Sequence, residues 1–245
     1  MSTNRLIAGL IILVSTGSIA YAQKQGGTLR VYHRDSPASM SIYEETTLST
    51  SMPMMGVFNN LVVFDPTQAQ NRLDNIIPDL AESWSSSEDG KSIMFKLRSG
   101  AKWHDGKPFT ANDVKCSWDL LLGTGKEKLR INARETWWTN LDGVTADNDR
   151  QVTFHLKRPQ PSFLALLASG LSPVYPCHIS PADMRQHPIG TGPFKFVEFK
   201  PNQSIKVVRN PDYWKPGRPY LDGIEYTIIP NRSTAMLAFA AGQFD

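Results

Sequence analysis

Alternation of apolar and polar residues is clearest near residue 95, where Ile93, Phe95 and Leu97 take turns with Met94, Lys96 and Arg98. That period of two predicts a strand with one buried face and one wet face. Val152, Phe154 and Leu156 repeat the pattern, with His155 and Lys157 on the other face. Both runs keep a basic outer side, so they are expected as neighbours in one sheet covered on one side. Between them the period changes. Thr110, three residues before Asp113, predicts a capped helix start, and Val114, Trp118, Leu121 and Leu122 then fall on one helical face. Asp89-Gly90, residues 104–108 and residues 147–149 have turn composition.

Weaker signals fill the remainder. Residues 28–32 form an apolar strand, followed by a Ser-rich polar passage to Ser51 and an apolar stretch over residues 52–64. Pro161 and Gly170 bracket a short helix over residues 162–169. Strands over residues 205–208 and 224–229 precede a helix capped by Ser233 and closed by Gly242. Strands and helices mixed in this way indicate an α/β fold.

Residues 79–110, D-L-A-E-S-W-S-S-S-E-D-G-K-S-I-M-F-K-L-R-S-G-A-K-W-H-D-G-K-P-F-T, resemble the solute-binding proteins of ABC importers, family 5, the peptide- and nickel-binding type. Further segments match in the family's order: F-N-N-L-V-V-F-D-P from Phe58, P-I-G-T-G-P-F from Pro188, N-P-D-Y-W from Asn210, and residues 226–245 ending A-F-A-A-G-Q-F-D. The resemblance implies the first lobe of a periplasmic binding protein type II-like fold, with the second lobe missing. Residues 23–50 and 178–245 would form an incomplete first-lobe core, and residues 51–177 an inserted subdomain. It implies the N-terminal part of a longer, monomeric receptor that captures peptides or similar small solutes and delivers them to an ABC permease in the inner membrane, with no cofactor. Nickel chelates and other small solutes are alternatives within that class. A secreted enzyme with catalytic residues beyond Asp245, and an orphan lobe that binds nothing, are alternatives outside it.

Residues 1–22 have the makeup of a secretory signal peptide: Arg5, an apolar core over residues 6–14, and an A-x-A site at Ala20-Tyr21-Ala22. Cleavage after Ala22 would leave a periplasmic product. It would also lower Lys+Arg from 26 to 25 against 23 acidic residues, so the net charge falls from +3 to +2. Charges of both signs are scattered without a basic stripe, so no nucleic-acid partner is expected.

The chain lacks the G-x-S-x-G, H-E-x-x-H, P-loop and G-x-G-x-x-G signatures, since Gly190-x-Gly192 runs into Pro193. His104-Asp105 is expected to be a structural turn rather than a catalytic dyad. His33, His155, His178 and His187 lack metal-ligand spacing, and no metal site is expected. Cys116 and Cys177 are expected unbonded: one sits in the capped helix, the other in a Pro-bounded loop, and disulfide geometry is strict. The leading ligand candidates are Arg134 and Trp137 in R-E-T-W-W, a planar fork for a carboxylate beside a flat apolar platform. The competing reading makes the tryptophan core and the arginine a surface charge. Ser41, Thr46 and Ser51 of the polar passage are a second set, because the family resemblance places this passage beside the cleft.

Overall fold

A computed structural model describes residues 25–245, and the signal peptide expected over residues 1–22 lies outside them. The described chain runs through β1 (Thr28–His33), α1 (Leu48–Met54), β2 (Val62–Phe64), β3 (Ile76–Pro78), β4 (Ala81–Ser86) and β5 (Ser92–Leu97). Then come α2 (Ala111–Leu122), β6 (Leu141–Asn148), β7 (Gln151–Leu156), α3 (Phe163–Ala168) and α4 (Pro181–Gln186). β8 (Phe194–Lys200), β9 (Ser204–Arg209), β10 (Gly223–Ile228) and α5 (Arg232–Ala240) complete it. One sheet has the order β1-β10-β9-β8, a second β4-β5-β7-β6, and β2 pairs with β3 alone.

The two alternating strands do lie side by side. β5 and β7 are antiparallel neighbours, with Ile93 opposite Phe154 and Phe95 opposite Val152. Every second residue is buried because α2 covers that face: Trp118 meets Phe154 edge-on at 4.8 Å and Trp138 at 5.7 Å. Aromatic pairs at such angles add to the area they bury. α2 begins as expected, with the Thr110 amide donating to Asp113 Oδ2 at 2.9 Å, and ends at Gly123, whose φ of 68° is the left-handed cap glycine tolerates.

The two sheets are tied together by a buried polar knot. Asp79, in the turn between β3 and β4, accepts from Lys215 Nζ at 2.5 Å, Asn59 Nδ2 at 3.0 Å and the Asn60 amide at 3.1 Å. Lys215 belongs to the N-P-D-Y-W loop after β9, so each partner satisfies a charge that burial would otherwise penalise. The G-T-G-P-F turn makes the other tie. A Cβ on Gly190 would lie 1.9 Å from the Val57 carbonyl oxygen, so this backbone approach is open only to glycine.

Three expectations are corrected. First, Cys116 and Cys177 form a disulfide, with their Cα atoms 5.6 Å apart. Asp113, Cys116 and Ser117 share one face of α2, and two of them grip the loop: Asp113 Oδ1 accepts from the Cys177 amide at 3.0 Å and Ser117 Oγ from the Tyr175 amide at 2.8 Å. Those bonds bring Cys177 alongside Cys116. Second, the cap of α5 is Asn231, whose side chain accepts from the Thr234 amide at 3.0 Å; Ser233 lies inside the helix. Third, the turn expected at residues 147–149 moves on to residues 149–150, because Asn148 pairs with Gln151 and remains in β6.

Candidate functional site

Among the described residues only β1 and β10 run parallel, and open sheets bind ligands in the crevice outside the carboxyl ends of their parallel strands. At that end of β1 the surface is hollow. A cavity of about 440 Å³ is lined by residues 32–35 at the end of β1 and by residues 47–49 and Met52 at the start of α1. A larger cavity of about 500 Å³ lies beside the disulfide, between α2 and α4. The smaller one is the better candidate because it sits at the ends of the parallel pair.

Its walls differ in chemistry. His33 is buried and its Nε2 donates to the Ser49 carbonyl at 3.0 Å, which pins α1 to β1. Burial lowers the His33 pKa below the ordinary histidine value, so the ring is neutral at pH 7. Arg34 and Asp35 form an exposed pair at 3.4 Å and bring both signs of charge to the lip. Leu48 and Met52 supply an apolar wall and remain exposed.

Behind this wall, residues 39–46 are held by two arginines from distant elements. Arg185 of α4 pairs with Glu44 at 3.0 Å, and its carbonyl accepts from the Met40 amide at 2.9 Å. Arg134 Nη2 donates to the Glu45 carbonyl at 2.9 Å, and Nη1 to that of Ile42. The Arg130 amide also donates to Glu44, at 2.6 Å. A carboxylate as deeply buried as Glu44 is tolerable only with such partners.

Arg134 is therefore buried and occupied with backbone carbonyls, with its guanidinium carbon 5.8 Å from the centre of the half-buried Trp137 ring. Ser41 is buried and its Oγ has no partner. Ser51 is buried inside α1, where Oγ donates to the Thr47 carbonyl at 3.2 Å, while Thr46 is exposed just before the helix. Arg134 and the 41–46 passage are brought together, but none of the five expected residues lines the cavity. The lining residues His33, Leu48 and Met52 escaped sequence reasoning. Their signal was present: Leu48, Met52 and Met55 stand at i, i+4 and i+7, a spacing ordinarily taken for core.

His104 also has its place. Nδ1 accepts from the Gly190 amide at 3.2 Å and Nε2 donates to the Gly192 carbonyl at 3.0 Å, so the ring joins two turns. Asp105 pairs instead with His178, at 2.7 Å. Among the described residues no helix is long and apolar enough to cross a membrane.

Known proteins share this architecture. The oligopeptide-binding protein AppA of Bacillus subtilis is 33% identical over 232 residues, covering 91% of this chain and 40% of that protein. Its structure with a nonapeptide superposes with a TM-score of 0.77. DppA from Helicobacter pylori, in complex with the peptide STSA, gives a TM-score of 0.79 at 26% identity, covering 90% of this chain and 46% of that one. AgaA of A. tumefaciens, in complex with agropinic acid, gives 0.78 at 27% identity, covering 89% and 43%. The chain thus spans between 35% and 46% of the relatives it matches. The family pattern described as "Bacterial extracellular solute-binding proteins, family 5 Middle" matches residues 75–245. With that match over more than half its length, the chain belongs to the bacterial extracellular solute-binding proteins of family 5.

Proposed function

We propose that this chain is the N-terminal part of a periplasmic receptor that captures peptides or similar small solutes and hands them to an ABC permease. The observation that carries this reading is the cavity at the carboxyl end of β1, apolar on one wall and bearing both signs of charge at its lip. A peptide offers the complement: side chains for the wall and a zwitterionic backbone for the charges. The family relatives bound to a nonapeptide and to STSA favour peptides over other solutes.

In this reading residues 23–50 and 178–245 build the core of the first lobe, and residues 51–177 are its insertion. The pairing of β1 with β10 supports that division, since it brings residues far apart in sequence into one sheet. Arg134 holds residues 42 and 45, Trp137 lies against its guanidinium, and Thr46 stands just before the helix that carries the wall. The test is native mass spectrometry of the full-length protein with a mixture of di- to pentapeptides. Retention of peptide by the full-length protein, with much weaker retention by residues 25–245 alone, is the expected result. A folded full-length protein that retains none of them would sink the proposal.

A further inference from the structure

Residues 173–185 brace the passage over residues 39–46 against α2. On the passage side the Tyr43 hydroxyl donates to the Pro173 carbonyl, and the Tyr43 and Tyr175 rings stack with centroids 4.0 Å apart. Arg185 pairs with Glu44 at 3.0 Å, and its carbonyl accepts from the Met40 amide. On the α2 side the Asp113 and Ser117 hydrogen bonds are joined by one covalent link, Cys116–Cys177. The braced passage runs from β1 to α1, whose facing ends line the smaller cavity. The disulfide is also reachable. Both cysteines are half-buried, and both line the cavity of about 500 Å³ between α2 and α4. Cys177 Sγ has Asn112 beside it, with the side-chain amide a donor at 3.3 Å and the backbone carbonyl an acceptor at 3.3 Å. A freed Cys177 is thus accommodated as thiolate or thiol, which makes it the sulfur that leaves and Cys116 the one attacked.

We infer that Cys116–Cys177 is a thiol-exchange site through which a dithiol reductant weakens solute binding by loosening the brace on residues 39–46. The affinity claim rests on the receptor reading above and deepens it. In the first step a thiolate of the dithiol attacks Cys116 Sγ, forming a mixed disulfide and releasing Cys177 as thiolate. The second thiol of the reductant then displaces Cys116, so the dithiol leaves as a disulfide and both protein cysteines are reduced by two electrons in all. Asp113 and Ser117 still hold the loop, so the reduced protein stays folded. Its brace opens more readily, because local opening no longer has to work against a covalent tie. A solute that needs the passage in place must then supply the cost of ordering it, and binds less tightly.

The experiment treats the full-length protein with dithiothreitol in the absence of denaturant and follows three readouts. Alkylation should label both cysteines while the protein remains folded. Hydrogen exchange at the Met40 amide, which donates to the Arg185 carbonyl, should quicken about tenfold on reduction. Retention of peptides from a mixture of di- to pentapeptides, read by native mass spectrometry, should fall several-fold. The double variant Cys116→Ser, Cys177→Ser should reproduce the faster exchange and weaker retention without reductant, and dithiothreitol should change it no further. Asn112→Ala should slow the reduction several-fold and leave the oxidised protein's exchange unchanged. A folded protein whose cysteines resist alkylation, or whose Met40 exchange or peptide retention is the same before and after reduction, would overturn this inference and leave the peptide reading standing. An oxidised protein that retains no peptide would overturn the peptide reading and the affinity claim together, while Met40 exchange would still decide whether the disulfide governs the brace.

Discussion

At the scale of single residues, His104 shows how one ring couples stability to pH. The Gly190 amide donates to Nδ1, a bond open only to the neutral ring, so the proton sits on Nε2 facing the Gly192 carbonyl, which by itself raises the pKa. Burial, the larger cause, lowers the His104 pKa to about 4. The folded value therefore lies below the unfolded one, near 6.5. Stability from this residue is full above pH 6.5 and is lost as the pH falls towards 4, where the unfolded chain has taken up a proton and the folded chain has not. The loss amounts to about 3 kcal/mol across that window. Guanidinium unfolding at pH 7 and pH 4.5 should show it in the wild type, and the difference should be much smaller in His104→Gln. Equal pH sensitivity in both would show that the ring carries no such linkage. The histidine's turn setting was legible in W-H-D-G-K-P. Its partners were not, because Gly190 and Gly192 lie more than 80 residues away in the chain.

Between elements, the disulfide is the least legible link and has the clearest measurable consequence. Nothing local marks Cys177 as a partner of Cys116; the pairing follows from Asp113 and Ser117, whose side chains hold the loop on α2. Strand β5, β7 and helix α2 could be foreseen because each has a strong period and a clear boundary. β4, β6 and β8 could not, since their outer faces mix polar and apolar residues and their pairing supplies the order. α1 was hidden for another reason: its Ser, Thr and Pro content looks like a loop, and its apolar stripe faces outward. The disulfide spans 61 residues of chain, so loop closure predicts about 4 kcal/mol of stabilisation. Guanidinium unfolding with and without a dithiol reductant should reveal a large drop in midpoint, reproduced without reductant by the double variant Cys116→Ser, Cys177→Ser. Coincident midpoints would mean that Asp113 and Ser117 hold the loop unaided. The same loop leads into α4, where Arg185 pairs with Glu44, so loosening it should also be felt at residues 39–46.

For the molecule as a whole, the decisive features are two surfaces left open on the same lobe. β1 is the edge of its sheet, and at that edge the Asp245 amide donates to the Arg30 carbonyl at 3.1 Å while the side chains pair at 3.0 Å. Next to it α5 exposes Met236, Leu237 and Phe239 at 65%, 72% and 65%, and buries only Ala235 and Ala238. A strand edge met only at Arg30 and a contiguous apolar face each promote association, and together they make residues 25–245 poorly suited to exist alone. The isolated segment is expected to bind a hydrophobic fluorescent dye strongly and to sediment as more than a monomer at micromolar concentration. Replacing Met236, Leu237 and Phe239 by Ser should lower the dye signal without lowering the melting temperature, because these side chains contribute little to the core. A longer product carrying the further residues that its family relatives possess should quench the signal as fully as the triple substitution. If the longer product binds dye as strongly as the segment, α5 is no internal interface, and its apolar face must meet another molecule.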